Sequence, residues 1–279
     1  MSQFPYGVPV VLTPRVRRLT APNSGLMTGP GTNSYLVGHQ RIALVDPGPA
    51  ISSHINALLD AVGDRLNWIF VTHTHKDHSP AAQAVAAATG AEVIGNIIPN
   101  DGFQDPSFVE ARAVVDDECL RTDEFNLRAV LTPGHVANHV CYLIEEDRML
   151  LTGDHVMGGS TVVIIPPAGD MGQYIRSLER MLDYDLEHLA PGHGGLIETP
   201  HTEVKRLIKH RLKRERKVSD ALAVAGPCPI STLLPVVYDD VDTSLHAMAE
   251  KSLYAHLLKL VNEGQARVDG EVWGPIDRN

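Results

Sequence analysis

Cysteine is scarce in this sequence: there are three in 279 residues, Cys119, Cys141 and Cys228, far apart and with no CxxC pair. That argues against a disulfide framework and a thiolate metal or redox motif, and reads as buried free thiols in a reducing compartment. Long apolar runs are missing too. The longest candidate, "STVVIIPPAG", stops at two prolines, well short of the roughly 20 residues that cross a bilayer. Positive charge is in deficit, with 24 Lys and Arg against 34 Asp and Glu and a formal net charge of −10. Such a surface repels a nucleic-acid backbone and has no attraction to an anionic membrane, so a polyanionic substrate would have to be drawn in locally. The opening stretch "MSQFPYGVPVVLTPRVRR" lacks a secretory pattern, because its basic residues follow the apolar run and Pro5, Pro9 and Pro14 interrupt it. A cytoplasmic protein with no membrane partner is the expectation.

What is present is a chain that is 43% hydrophobic, enough for a real core. There is no internal repeat. Strand-length apolar runs, "RIALVDPG" and "LNWIFVTHTH", alternate with segments of helical spacing. "SSHINALLDAVG" carries apolar residues at Ile55, Leu58, Leu59 and Val62 and stops at Gly63, and "SPAAQAVAAATG" suggests a helix capped by Ser79 with Pro80 at its first position. Three later strand-like segments, "NLRAVLTPGH", "HVCYLIEE" and "RMLLTGDH", precede a short one, "HLAPGHGG". From about residue 200 the composition changes. A long basic helix, two shorter helices and a hairpin signal at Asp269-Gly270 outline a winged helix, so two domains are expected, 1–200 and 201–279.

The densest chemistry lies in "THTHKDHSP" at residues 72–80. In an extended segment, residues two apart share a side, so His73 and His75 can converge on one ion. Asp77 and His78 can turn toward a second. Each ion is then short of ligands, and "TPGH" (His135), "TGDH" (Asp154) and "APGHGG" (His193) offer them at other strand ends. Loops at the ends of strands are where rigid sheets present chemistry. Two neighbouring divalent ions would hold and activate a water for attack on a carbonyl carbon or a phosphorus. Asp77 is the catalytic candidate, orienting that water and accepting its proton.

These residues match a known pattern. "THTHKDH" resembles the HxHxDH signature of the metallo-β-lactamase superfamily, and "LVDPG", "TPGH", "TGD" and "PGHG" fall in that family's order. The resemblance implies an α/β fold, an αββα sandwich followed here by the small winged helix. It also implies His73, His75 and His135 on one ion, Asp77, His78 and His193 on the other, and Asp154 bridging. Asp46 would be either a carboxylate that fixes a ligating imidazole or a plain turn residue. Beside the ligands, His139, His155 and Asn33 are candidates for touching substrate, with interior packing or turn chemistry as the alternatives. The cofactor expected is a pair of divalent ions, zinc first, with iron or manganese compatible with the same donors.

The full-length layout, including "PGTNSYLVG" and "TGDHVMGGSTVVIIPPAGDMGQYIRSLERM", is similar to the beta-lactamase-like-protein-2 group of hydrolases. This implies hydrolysis of single-stranded RNA as one substrate class, with a small-molecule ester or thioester, as in glyoxalase II, as the alternative. A DNA-binding regulator is a third reading, and duplex DNA is not expected as a partner. Residues 203–217 hold eight Lys and Arg against two Glu, while the winged helix from residue 218 carries only Lys251, Lys259, Arg267 and Arg278 against nine acids. Oligomeric state is not readable from the sequence.

Overall fold

In the computed structural model, which describes residues 4–159 and 161–276, two sheets face each other across a shared apolar core. The first sheet has six strands in chain order: β1 (Val10–Val11), β2 (Val16–Thr20), β3 (Asn33–Val37), β4 (Ile42–Val45), β5 (Leu66–Phe70) and β6 (Glu92–Ile94). The second runs β11-β10-β9-β8-β7, built from β7 (Cys119–Arg121), β8 (Asn126–Leu131), β9 (Val140–Ile144), β10 (Met149–Gly153) and β11 (His188–Pro191). Arg278, counted above with the winged helix, lies outside the described residues.

Strand alternation divides the apolar residues between two layers. Tyr35, Val37, Ala43, Val45 and Phe70 point between the sheets, where they meet Leu127, Ala129, Tyr142, Ile144 and Leu151. Their neighbours Leu36, Ile42, Leu44 and Ile69 point the other way, onto helices α1 (Ser52–Val62) and α2 (Ala82–Thr89). β3 and β4 are buried at every position, which is why "RIALV" reads as a continuous apolar run and not as an alternation. Each fully buried Leu or Ile contributes about 1.5–3 kcal/mol of transfer free energy. Leu44 to Asp is a single change that would break this layer by leaving an unpaired carboxylate at a fully buried position.

Helix α1 begins at Ser52 and ends on Gly63, as the spacing suggests. Helix α2 differs at its start: it opens at Ala82 and its cap position is Ala81. Ser79 is not the cap, because its hydroxyl donates to Asp105 Oδ2 at 2.7 Å and its carbonyl accepts a turn bond from Ala82 N.

Internal packing divides the chain into two units. The first comprises residues 1–132, 138–161 and 184–201, and the second 133–137, 162–183 and 202–279. The second therefore takes in two segments that precede residue 200. It contains α3 (Met171–Met181), capped by Asp170 through Gln173 N, and α4 (Pro200–Ala225). There follow β12 (Cys228–Pro229), α5 (Ile230–Val237), α6 (His246–Asn262), β13 (Ala266–Asp269) and β14 (Val272–Pro275). The strands form a three-stranded sheet in the order β12-β14-β13, with the Asp269-Gly270 hairpin where the sequence suggests it. Leu222, Leu233, Val237, Leu253, Leu257 and Trp273 make its own core. No helix among the described residues is long and apolar enough to cross a membrane.

Candidate metal centre

β4 and β5 are parallel, and so are β10 and β11, so four strand ends of the first unit carry Asp46, the 73–78 loop, Asp154 and His193. Backbone bonds close the ends together: Val140 N donates to Thr72 O at 2.8 Å, Gly192 N to Gly153 O at 2.8 Å and Asn33 N to Gly192 O at 2.8 Å. His73, His75 and Asp154 offer ligand atoms within 4.8 Å of one another, and so do Asp77, His78 and His193.

The finer geometry tests whether ions fit. His78 Nε2 lies 3.4 Å from Asp77 Oδ2 and 3.3 Å from Asp154 Oδ1, and His193 Nε2 lies 3.1 Å and 3.3 Å from the same two oxygens. Ligands about 2.0–2.1 Å from a tetrahedral ion are separated by about 3.4 Å, so these four edges suit one ion. His78 Nε2 makes no hydrogen bond although it is fully buried. Nearby, His73 Nε2 and His75 Nδ1 approach to 2.9 Å with both nitrogens converging.

The other ring nitrogens are occupied. His78 Nδ1 is 2.8 Å from Asp46 Oδ2, His73 Nδ1 is 3.0 Å from Thr72 Oγ1, and His193 Nδ1 is 3.3 Å from the Gly31 carbonyl. An N–H donated from Nδ1 leaves Nε2 to face the cluster. Asp46 is held in turn, accepting from Thr72 N at 2.7 Å on one oxygen and from Thr72 Oγ1 at 2.8 Å on the other. His135 belongs to the second unit, where its Nδ1 is 2.9 Å from the Val163 carbonyl oxygen.

Electrostatics follow from burial and from the two carboxylates. Burial opposes charge on His78 and His193, but is outweighed. Asp77, Asp154 and Asp46 hold His78 well above the usual imidazole range, and Asp154 and Asp77 raise His193 to about 9. Burial likewise opposes ionisation of the acids, and the two imidazoles overcome it, taking Asp77 down to about 2 and Asp154 well below the carboxylate range. His73 stays neutral: burial and then the neighbouring His78 and His75 push it well below its ordinary value. Protons on His78 and His193 thus hold the carboxylates where cations would.

The three residues considered as substrate contacts lie in the interior. Asn33 is fully buried, its Nδ2 donates to the Pro191 and Gly194 carbonyls at 3.0 Å each, and its Oδ1 accepts from Thr20. It braces the turn that carries His193. His139 is also interior, with Nδ1 2.8 Å from Thr132 Oγ1 and Nε2 accepting from Asp154 N at 3.2 Å. His155 is fully buried, its ring 5.6 Å from that of His139.

Sequence reasoning passed over Thr72 and two glycines. A Cβ on Gly192 would lie 2.7 Å from His78 Cε1 and 2.8 Å from Asp154 Oδ1, inside the cradle. A Cβ on Gly153, which has φ +46°, would meet Thr72 Oγ1 at 2.5 Å. The glycines in "TGD" and "PGHG" were visible as turn formers. Their role in leaving room for the donors was not.

Residues 27–193 match the Metallo-beta-lactamase superfamily, and residues 230–273 match the Beta-lactamase associated winged helix domain. The chain belongs to the metallo-β-lactamase superfamily and is a hydrolase of that fold, with an associated winged helix. Among its relatives, a Beta-lactamase-like protein 2 homolog of Drosophila melanogaster is 29% identical over 92% of this chain and 91% of its own length. An atrochrysone carboxyl ACP thioesterase of Aspergillus fumigatus is 31% identical over 76% of this chain and 66% of its own. A metallo-β-lactamase family protein from Thermus thermophilus shares the fold with a TM-score of 0.77, at 22% identity over 95% of this chain and 100% of that one. TTHA1623, solved in a di-iron-bound form, aligns with a TM-score of 0.53 and 25% identity over 66% of this chain and 95% of that one.

Proposed function

We propose that the protein hydrolyses an acyl thioester or ester of a small molecule at a centre of two divalent ions. His73, His75 and His135 would hold the first, Asp77, His78 and His193 the second, and Asp154 both. The edge lengths of 3.1–3.4 Å among the donors of Asp77, Asp154, His78 and His193 carry the metal half of this reading. When bound, such ions lower the pKa of a water and take up negative charge on the attacked oxygen. Zinc is the first choice for nitrogen and carboxylate donors, with iron or manganese compatible.

The protein's own contribution is orientation. Asp77 accepts from Thr32 Oγ1 on Oδ2 at 3.3 Å, which leaves Oδ1 to orient the attacking water and accept its proton. Its side chain keeps 28% of its exposure, against 12% for Asp154 and 0% for His78, so it is the carboxylate that substrate and solvent reach. Asp46 and Thr72 fix the rings of His78 and His73 from behind.

The substrate half rests on apolar surface beside the site. Phe103 is 51% exposed with its ring 6.3 Å from that of His75, and its loop is pinned to the histidine loop by Thr74 Oγ1 donating to Gln104 Oε1 at 2.6 Å. Lys76, the cation next to His75, donates to the Gly102 carbonyl. With Lys76 engaged, the surface beside His75 offers Phe103 and no free ammonium at that position, which suits an acyl group better than a phosphodiester backbone. The thioesterase named among the relatives agrees with this choice. Hydrolysis of single-stranded RNA is the second reading, favoured by the exposed Phe103 ring as a surface on which a base would stack. Cys119, Cys141 and Cys228 form no disulfide, in keeping with a reducing cytoplasm.

Metal analysis of the purified protein, joined to a screen of acyl thioesters, lactones, bis-p-nitrophenyl phosphate and RNA, tests both halves. Thioester turnover lost to a chelator and restored by added metal is expected. RNA cleavage without thioester turnover would favour the second reading, and a metal-loaded protein inert on all four would sink both.

A further inference from the structure

Residues 203–217 of α4 look like one basic run, but their cations divide into two groups. Arg206 pairs with Glu203 at 2.6 Å, and buried Arg211 donates to the Val162 carbonyl at 2.5 Å with Tyr174 against its guanidinium. Arg214 pairs with Asp240 and stacks on Tyr238, and Lys217 pairs with Asp239. These four are consumed within the second unit.

The other four, Lys205, Lys209, Lys213 and Arg216, are exposed, and none enters a hydrogen bond or ion pair among the described residues. At 100° per residue they span about 80° of the helix circumference, and at 1.5 Å per residue about 16 Å of its length. Ile208 and Leu212 lie beside them, with Leu212 40% exposed. Together with Leu182, at the end of α3, they line a groove of about 660 Å³ whose one acid is Glu179.

We propose that this groove docks an acidic amphipathic helix of a partner protein. Its apolar stripe would cover Leu182, Ile208 and Leu212, and its flanking carboxylates would meet the four cations. Charge complementarity selects this occupant, since the groove sets four cations against one acid on a chain that is otherwise at −10, so an acidic partner is attracted here and repelled elsewhere. Single-stranded RNA fits less well: it would use the cations, but the groove offers no aromatic ring on which bases stack.

The test is fluorescence anisotropy on the full chain, with a labelled helical peptide of about 18 residues carrying a Leu stripe flanked by Glu. Saturable binding is expected, at least tenfold weaker in the Lys209→Glu/Lys213→Glu variant and in about 0.5 M salt, where screening is strong. Leu212→Gln is expected to weaken it severalfold without changing charge. Equal binding of a peptide with Lys in place of Glu would overturn the proposal. So would indifference to the charge reversal, or binding of oligouridylate through these cations while the acidic peptide fails to bind. Binding is read without turnover, so it stands or falls separately from the hydrolase reading.

Discussion

Two charge-rich stretches, "HTHKDH" at 73–78 and "EVKRLIKHRLKRERK" at 203–217, look comparable on paper and end in opposite situations. In the first, His73, His75, Asp77 and His78 turn their donors toward common points, and distant carboxylates answer them. In the second, the cations divide around a helix, three into local ion pairs, Arg211 onto a backbone carbonyl and four outward. The density of ionisable residues is similar, but the backbone differs. A loop following a strand can gather successive side chains on one point, whereas a helix fans them out by 100° each.

The largest effect that would break this comparison is loss of a shared donor. Asp154→Ala removes an oxygen 3.3 Å from both His78 Nε2 and His193 Nε2. Hydrolysis is expected to fall to baseline and bound metal to drop, measured by elemental analysis beside the activity assay. A variant that keeps its metal and its turnover would mean that the cluster is only a buried polar network.

On the helix the contrast is between neighbours. The Arg214 side chain is 10% exposed and engages Asp240 and the Val237 carbonyl, so Arg214→Glu places a carboxylate in a buried position beside an acid and a carbonyl, with no cation to pair with it. A loss of about 3–5 kcal/mol in urea unfolding is expected. Lys213→Glu, one residue away and exposed, is expected to change stability by about 0.5 kcal/mol or less. Equal effects at the two positions would erase the division between structural and free cations.

That division also marks where the sequence stops being informative. Strand ends bearing His or Asp were legible because apolar runs and Gly or Pro turns are local signals, and so was the winged-helix outline. The sequence neighbourhood of Asn33, His139 and His155 is legible, but the direction of each side chain depends on partners elsewhere: Asn33 bonds to the Pro191 carbonyl, 158 residues away. Ser79 fits a cap by local rules, yet Asp105 takes its hydroxyl. The grouping of residues 133–137 and 162–183 with the C-terminal part likewise has no local signature.

The smallest effect concerns pH and separates histidines that face carboxylates from one that does not. In the metal-free protein His193 has a pKa of about 9, above the ordinary value of about 6.5. The stability its proton contributes is fully present below pH ~6.5 and is lost as pH rises through about 9. His54 faces Ser34 Oγ at 3.0 Å and not an acid, and burial takes it to about 4. Its folded form resists protonation, so stability falls as pH drops from ~6.5 toward 4. Urea midpoints of the chelator-treated protein are therefore expected to decline on both sides of about pH 6.5. With metal restored, His193 no longer holds that proton, and its share of the alkaline decline should disappear while the acid decline from His54 remains. An alkaline branch unchanged by metal would show that the carboxylates, and not the ions, continue to set the state of His193.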